Sequence, residues 1–454
     1  MIDPPLWLVI LPLAAAPLVY VTRRWGVAAY LAALVALLAG MLAWSLPPTN
    51  PMRLMGRPFL LDPLTQHALA LLFVMAAVLF LVAWQLPQGR AFFSLGLVLL
   101  GLLAAVGMSR HLGITALFMT LAAIDAVPII QGEQTGSTRA GWRFLMMFLL
   151  ALPFFLLASW RVDLYREDVE NAVYLGQAAL LLGLGMSIWL AVVPLHGWLT
   201  GAGEAPPLAA ALVLTGFPLL GLVTLLQLLR EATWFTWHEQ VGPLLLLAGL
   251  IAAASGGLLA ALQRGLRPLL GYAALFDLGC LFIALSLGGT GSAPSFYAGL
   301  ALRGLALGLT GAASAALGQP AGGDTFAALR GIAYRRPLAT AALVIGGFTL
   351  AGLPLTAGFL PRWLLFQGLA QSQPGWAWLL VGGGLGVALG YLRGLHALLA
   401  LPGRSVPASQ SRQPWLASLF LVGLGLLSVW LGLFPDPLFR LVERLLAVYP
   451  LPVI

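Results

Sequence analysis

The chain contains no lysine, and all 23 of its basic residues are arginine. Arginine stays protonated at every physiological pH, whereas a desolvated lysine can release its proton. A mechanism that needs a side-chain ammonium group to switch between charged and neutral forms is therefore excluded. GC-rich codon usage alone would also produce this bias, and that is the simpler interpretation of it.

Cysteine and charge are also scarce. The single cysteine, Cys280, excludes an internal disulfide and an iron–sulfur cluster, and we interpret it as a small packing residue. Only 8% of the 454 residues are charged, too few to cover a soluble protein of this length. We find no metal-ligand spacing, glycine-rich phosphate loop or nucleophile motif. We therefore expect no cofactor, no metal and no catalytic residue in this chain, and whether it belongs to a larger enzyme stays open.

Apolar runs long enough to cross a bilayer recur along the whole chain, for example at 6–21 and 415–434. We count about 14 spans of roughly 20 residues each. The first is not followed by a small-residue cleavage site, so we interpret it as a span and not as a signal peptide. The sequence predicts an all-α polytopic membrane protein with the lipid bilayer as its surroundings.

The net charge of +8 is explained by topology and not by nucleic-acid binding, because the arginines lie mostly in short alternate loops. One side of the predicted membrane holds Arg23, Arg24, Arg90, Arg139, Arg143, Arg264, Arg267, Arg330, Arg335, Arg336, Arg404 and Arg412. The other side holds fewer arginines and carries the acidic stretches 163–170 and 231–239. We therefore predict that the arginine-rich side faces the cytoplasm. Both termini are then outside it, in a protein of the cell inner membrane.

Two spans are interrupted. The seventh runs into Pro194 within GMSIWLAVVPLHGWLTGAGEAPP (185–207), and the twelfth contains Pro354, Gly358 and Pro361 within GGFTLAGLPLTAGFLPRWLLFQGL (346–369). Proline removes a helical hydrogen bond, and in lipid the freed carbonyl must be satisfied by protein or water. Broken helices in corresponding places of two halves are typical of transporters with repeated architecture.

Because the two breaks fall five spans apart, we predict two inverted five-helix repeats. The predicted divisions are residues 1–110 for the N-terminal spans, 111–230 for the first repeat, 231–400 for the second, and 401–454 for the last span and an amphipathic tail. The tail, PDPLFRLVERLLAVYP, alternates apolar and charged residues at helical spacing. It is expected on the membrane surface or against a partner.

Ionisable residues at bilayer depth are candidates for an ion path. Asp125 in the fifth span is either a proton-carrying group or a cap for backbone freed by Pro128. Asp277 in the tenth span needs an arginine partner or would stay protonated, and Arg303 in the eleventh is the obvious candidate. A structural Asp277–Arg303 pair and a conducting one remain equally open. Arg362 follows the second break, where it would bind an anion, hold a carboxylate or set the field for protons.

Two further candidates follow the first break. His196 titrates near neutral pH in water, but beside Pro194 and Trp198 it would equally serve to anchor the break. Glu204 precedes a Pro-Pro pair and is expected close to the surface. For both residues a structural role and a role in ion movement stay open.

Four stretches in order resemble one family. VVPLHGWLTGAGEAPPLAAALVLTG resembles the hallmark Pro-Leu-His-x-Trp-Leu-Pro followed by Glu-Ala-Pro in the antiporter-like membrane subunits of respiratory complex I (NADH:quinone oxidoreductase). These subunits are similar to those of multisubunit cation/proton antiporters and membrane-bound hydrogenases. LLDPLTQHALALLF, ALQRGLRPLLGYAALFDLG and LAGLPLTAGFLPRWLLF resemble three further segments of the family. The resemblance covers about residues 60 to 400.

The resemblance implies a fourteen-span fold and a central polar axis that carries protons. The family's path uses a glutamate in the fifth span, lysines in the seventh and eighth, and a lysine or glutamate in the twelfth. In this chain the seventh-span lysine corresponds to Trp189 and the eighth-span lysine to Leu219 or its neighbour Leu220. The fifth-span glutamate falls near 120–123, so Asp125 replaces it only if the register shifts.

The remaining family positions are occupied by charged residues in this chain, but by residues of a different chemical type. The twelfth-span lysine corresponds to Arg362, a lysine often found in the eleventh to Arg303, and a tenth-span histidine to Asp277. The break with His196, Trp198 and Glu204 resembles retained scaffold. The protonatable centre before it is replaced by an indole, which cannot carry a proton.

Three interpretations follow. The first is a membrane subunit of a complex-I-like proton-translocating assembly whose own conduction is altered or lost. The second is a purely structural membrane module of such an assembly. The third is a membrane subunit of a cation/proton antiporter or of an inorganic-carbon uptake system. In each case the expected partners are other membrane subunits, with protons or monovalent cations as the transported species.

Overall fold

The computed structural model describes residues 3–47, 52–54, 56–86, 88–132, 138–232, 234, 240–401 and 415–451. Within these ranges the chain forms 17 α-helices and one small antiparallel hairpin. The hairpin pairs β1 (Met52–Leu54) with β2 (Arg57–Phe59). Arg404, Arg412 and most of the acidic stretch 231–239 lie outside the described residues.

The first nine helices run as far as the middle of the chain. They are α1 (Trp7–Thr22), α2 (Ala28–Ser45), α3 (Pro63–Ala83), α4 (Phe92–Met108), α5 (Leu112–Gln131), α6 (Arg139–Glu167), α7 (Val173–Trp189), α8 (Gly197–Ala202) and α9 (Pro207–Glu231). The start of α3 follows from its sequence. The Asp62 carboxylate accepts a hydrogen bond from the Thr65 N–H at 2.8 Å, and Pro63 occupies the first helical position, where no N–H is needed.

The remaining eight helices complete the fold. They are α10 (Val241–Leu262), α11 (Leu266–Leu287), α12 (Gly289–Ala321), α13 (Pro337–Ala351), α14 (Phe359–Ser372), α15 (Pro374–Leu399), α16 (Trp415–Leu433) and α17 (Asp436–Val448). Among the described residues, 11 helices are long and apolar enough to cross a membrane, and three shorter apolar helices, α4, α7 and α13, join them. The all-helical, multi-pass membrane class is therefore confirmed.

Helix α9 forms the centre of the molecule. Every residue from Pro207 to Leu229 is buried within the protein, whereas α16 buries only four of its residues. A helix that is apolar all round and enclosed by other helices has no lipid-facing side. Side chains that reach α9 from neighbouring helices are consequently deep in the fold.

Helices α10 and α11 approach each other closely because glycines line their contact. A Cβ atom added at Gly279 would lie 2.6 Å from the Ala253 backbone nitrogen and 2.7 Å from the Gly249 carbonyl oxygen. A second close approach joins the segment after the first break to α11, since a Cβ at Gly203 would lie 2.7 Å from the Gly271 Cα. Small residues allow such backbone contact between membrane helices. They fix the position of α11, the helix that carries Asp277.

The amphipathic tail packs on this chain itself. Helix α17 buries Leu438 and Val442, and beyond its end the Tyr297 hydroxyl of α12 donates to the Tyr449 carbonyl at 2.9 Å. The apolar stripe predicted from the sequence thus lies against α12. Its charged face remains exposed.

Candidate functional site

Asp277 lies deep in α11 between two arginines from different helices. Its Oδ2 accepts from Nη1 of Arg303 on α12, and its Oδ1 accepts from Nη2 of Arg362 on α14. The side chains are 6%, 0% and 11% exposed, respectively, so all three are withdrawn from lipid and solvent. We refer to Asp277, Arg303 and Arg362 as the Arg–Asp–Arg cluster. It carries two positive charges and one negative charge.

Arg303 also bonds to backbone carbonyls, and Pro218 explains one of them. The carbonyl of Leu214 would accept from residue 218 in a regular helix, but proline has no N–H. Arg303 donates to this carbonyl from Nε at 3.3 Å and from Nη2 at 3.1 Å, and Nη1 lies 3.4 Å from the Ala274 carbonyl oxygen. Its guanidinium therefore joins α9, α11 and α12 and is hydrogen-bonded through all three nitrogens.

The second break brings Arg362 to Asp277. Helix α13 ends at Ala351, Gly352 follows with φ of +76°, and α14 begins at Phe359. A Cβ at Gly352 would lie 2.9 Å from Cβ of Arg362 and closer still to its Cγ, so only glycine allows this approach. Ser295 of α12 donates to the Pro361 carbonyl at 2.7 Å, which anchors the start of α14 beside the cluster.

One predicted helix break is wrong in position. Pro361 does not interrupt a helix but lies in the first turn of α14, where a missing N–H costs nothing because the first helical N–H groups have no intrahelical partner. The interruption itself extends from Gly352 to Gly358 and includes Pro354. Within it Leu355 has φ of +68°, an unfavourable backbone conformation for a residue with a side chain.

A cavity of about 170 Å³ adjoins Arg362. Its lining is mostly aromatic and aliphatic, with Phe276, Phe359, Trp363 and Phe366 around the guanidinium. The Arg362 guanidinium carbon lies 5.7 Å from the centre of the Phe276 ring. The surroundings of Arg362 in this cavity are thus apolar, and the described backbone carbonyls that accept from the cluster are partners of Arg303.

The first break is closed by aromatic packing. Helix α7 ends at Trp189, and the Trp198 indole of α8 donates to the Ile188 carbonyl at 2.7 Å. Trp189 is fully buried and stacks on Phe155 of α6, with ring centres 4.0 Å apart. The space in which the resemblance expects a lysine ammonium is therefore filled by two stacked rings.

Three rings from two helices surround Trp198 and complete this packing. Phe144 and Phe148 of α6 and Phe217 of α9 all lie within 6.5 Å of it, centre to centre. Leu219, at the second expected lysine position, is buried in α9. At each of these two positions the side chain is apolar and enclosed.

The other predicted residues do not join the cluster among the described contacts. Asp125 is half-buried in α5, and its Oδ2 has no hydrogen-bond partner within the described part of the chain, so no capping bond to the backbone near Pro128 is seen. His196 precedes α8 with a buried Nδ1 that likewise lacks a partner there. Glu204 is exposed at the start of the turn into α9. Pro194 lies in the interruption between α7 and α8, after a cis peptide bond.

A second charged group, around Arg110, was missed by sequence reasoning. Arg110 Nη2 lies 3.0 Å from Oδ2 of Asp62, and its Nε lies 3.3 Å from Oε1 of Glu231. Gln227 donates to Thr65 Oγ1 at 2.9 Å beneath them. The signal available in the sequence was the Asp-Pro pair at 62–63, a helix start whose carboxylate keeps one oxygen free for an arginine.

Comparison with known proteins gives a consistent result. The family described as NADH:quinone oxidoreductase/Mrp antiporter, TM, matches residues 109–387. An NADH-quinone oxidoreductase subunit N of Rhodopseudomonas palustris (strain BisA53) is 33% identical over 443 residues, covering 91% of this chain and 90% of that one. The subunit N of Ectopseudomonas mendocina (strain ymp) is 32% identical over 285 residues, 60% of this chain and 56% of that one.

Solved structures share the fold. A chain of respiratory complex I from Thermus thermophilus with bound NADH superposes with a TM-score of 0.78 at 24% identity, over 98% of this chain and 99% of that one. A chain of the Mrp complex from Dietzia sp. DQ12-45-1b gives 0.81 at 16% identity, over 98% and 97%. The family match spans more than half of the chain, and the Rhodopseudomonas relative aligns over nearly all of it. The chain therefore belongs to the family of antiporter-like membrane subunits of NADH:quinone oxidoreductase and Mrp antiporters.

Proposed function

We propose that this chain is a membrane subunit of a complex-I-like proton-translocating assembly and that its own proton conduction is altered or lost. The observation that carries the proposal is the buried Trp189–Phe155 stack at the seventh-span position where the resemblance expects a lysine. An indole has no proton to exchange near neutral pH, and the packed rings leave no room between them for water.

The Arg–Asp–Arg cluster supports the same proposal from the second half. A proton path needs groups that gain and lose protons, and arginine does not do so. Asp277 accepts from both arginines, one on each carboxylate oxygen. The three residues hold α11, α12 and α14 together, and Arg303 adds α9. Their geometry suits a structural connection between helices better than a proton-transfer path.

The assembly and orientation are inferred from the same family. The partners would be other membrane subunits, the location the cell inner membrane, and both termini would lie outside the cytoplasm. The two breaks, between Trp189 and Gly197 and between Ala351 and Phe359, would mark the two inverted five-helix repeats. A purely structural module is the second candidate, favoured by the hydrogen bonding of Arg303 through all three of its guanidinium nitrogens.

Two experiments test this proposal. Purification of the tagged chain from its native membranes, with identification of co-purifying proteins, tests the assembly: quinone-reducing and other membrane subunits are expected, and a chain that purifies alone contradicts it. Reconstitution of that assembly in proteoliposomes then tests conduction through the ratio of protons moved to turnovers. Neutral replacements in the cluster distinguish the two candidates. They should change this ratio if the subunit has an altered proton path and leave it unchanged if the subunit is purely structural.

A further inference from the structure

A cavity of about 550 Å³ lies between the α1–α2 connection and the α3–α4 connection. Three arginines line it, Arg23, Arg24 and Arg90, and the described lining residues include no carboxylate. The described lining of this opening is therefore positively charged, with Arg23 and Arg24 as its two adjacent arginines. The positive-inside tendency places arginines in loops on one side of a membrane, but it does not make three of them converge on one cavity.

The cavity is at the membrane boundary. Helix α1 ends at Thr22 and α3 at Ala83, and two crossings separate these ends, so both connections emerge on the same side. Exposed aromatics accompany the arginines: Trp25 is 72% exposed and Trp84 40%. Tryptophan and tyrosine with such exposure are typical of the headgroup level of a bilayer. This exposure favours a place for the opening near the level of lipid phosphates.

The walls of the cavity are preformed. Ala28, Ala29 and Ala83 are buried beneath it and leave the space above them unfilled. The Gln88 side chain is fixed at both ends: its Oε1 accepts from the Leu208 N–H of α9 at 3.0 Å, and its Nε2 donates to the Leu86 carbonyl at 2.8 Å. The position of the α3–α4 connection is thereby tied to the central helix.

Aromatic contacts hold one of these arginines and the wall beside it. The Arg23 guanidinium carbon lies 3.8 Å from the centre of the Tyr20 ring, and the Tyr30 ring packs on Trp84 with centres 5.0 Å apart. Guanidinium groups recognise phosphate oxygens with two parallel hydrogen bonds. Arginine pockets between membrane helices on the cytoplasmic side are suited to acidic lipid headgroups.

We propose that this cavity binds the phosphate of an anionic membrane phospholipid, with Arg23 and Arg24 as its main ligands. The lipid's acyl chains would lie along the exposed apolar surface of α2, where Leu34, Leu37, Leu38 and Met41 face outwards. The site is independent of the proposed function, since neither the Arg–Asp–Arg cluster nor Trp189 contributes to it.

The test uses the full-length chain, purified and delipidated in detergent. Phosphatidylglycerol retention is titrated by native mass spectrometry and compared with phosphatidylcholine and with inorganic phosphate as competitor. The double variant Arg23→Gln/Arg24→Gln is expected to weaken phosphatidylglycerol binding about 30-fold, or about fivefold for each arginine at the surface. Arg330→Gln/Arg335→Gln is the matched control, because both arginines are exposed in another connection on the same predicted side.

The outcomes separate the alternatives. Loss of phosphatidylglycerol in the first variant alone, with phosphatidylcholine unaffected, supports the site. Equal losses in both variants mean a diffuse charge effect and overturn it, as does unchanged retention in the Arg23 and Arg24 variant. Displacement of the lipid by millimolar inorganic phosphate assigns the cavity to a free anion and overturns the lipid assignment. Thermal unfolding of each variant confirms that it is folded.

Discussion

Arg303 donates to the carbonyl of Leu214, which has no helical partner because Pro218 lacks an N–H. This contact joins α12 to the central helix α9, while the same guanidinium pairs with Asp277 on α11. A charged side chain thus does two things that the bilayer interior requires. It satisfies a freed backbone carbonyl, and it neutralises a buried carboxylate.

The contact predicts energetic coupling between Arg303 and Pro218. Arg303→Met removes the donors to Leu214 and should destabilise the native protein, whereas Pro218→Ala supplies a helical N–H to the same carbonyl. In the Pro218→Ala background, Arg303→Met should therefore cost about 1–2 kcal/mol less. Unfolding in detergent of the two single variants and the double variant measures this. Pro153→Ala, at an exposed proline of α6, is the control and should leave the cost of Arg303→Met unchanged. If the free-energy changes of Arg303→Met and Pro218→Ala add to within experimental error, the contact is contradicted.

Removing the carboxylate should be costly. Asp277→Asn leaves two buried guanidinium groups facing each other without a counter-charge, and loss of one partner from a buried ion pair costs about 3–5 kcal/mol. The exposed pair of Asp163 and Arg166, 3.0 Å apart, supplies the control, because Asp163→Asn should change stability by less than about 1 kcal/mol. If thermal unfolding shows equal effects of the two substitutions, the cluster does not hold the helices together.

Trp189 should behave as a core residue and not as the lining of a water-filled path. Trp189→Ala removes a fully buried ring from its stack on Phe155 and is expected to cost about 3–5 kcal/mol. Trp189→Lys should cost more than Trp189→Leu, because the ammonium finds no solvent there and must be buried or neutralised. Comparison of the unfolding temperatures decides this, and a lysine variant as stable as the leucine variant would show that water reaches the site.

His111, which caps the start of α5, predicts a pH dependence of the protein's stability. Burial, reinforced by the nearby Arg57, lowers the pKa of His111 below its usual 6.5. The neutral ring accepts at Nδ1 from the Ile114 N–H at 3.4 Å, which protonation would prevent. Because the pKa is lower in the folded protein, this stabilisation is complete above pH 6.5 and is lost as pH falls through the folded-state value.

His111→Asn provides the measurement. Asparagine caps a helix without titrating, so the variant should lose less stability than the native protein between pH 7 and pH 5. The difference between the two unfolding temperatures is followed across this range. Parallel curves would mean that His111 does not contribute to the acid dependence.

Much of the architecture could be predicted from the sequence because it depends on local rules. Apolar runs indicate membrane helices, and Pro194 and Pro354 each lie in a break between two helices. Arg303 was named as the candidate partner of Asp277, and whether the pair is structural or conducting was left open. That Arg362 shares the same carboxylate was not predicted, because it depends on how the turn at Gly352 directs α14. The contact between Arg303 and the Leu214 carbonyl was not predicted either. Pro218 frees this carbonyl in α9, but the donor lies in α12, far away in the sequence.

The members of the candidate site were predicted less well than the helices. Asp125, His196 and Glu204 were candidates by depth or chemistry, yet the described contacts bring none of them to Asp277. The position-by-position comparison with the family identified Trp189 and Leu219 as the residues that replace lysines. It did not identify the side chains that pack around them. Packing of that kind depends on tertiary neighbours, such as Phe155, that no local pattern identifies.

The decisive measurement is the number of protons moved per turnover by the reconstituted assembly when the Arg–Asp–Arg cluster is made neutral. The variant combines Asp277→Leu, Arg303→Met and Arg362→Met with Pro218→Ala, so that neither a charge nor the Leu214 carbonyl is left unsatisfied. With subunit composition shown to be intact, we predict a ratio equal to that of the native assembly. A reduced ratio at unchanged composition would show that protons do pass through this chain.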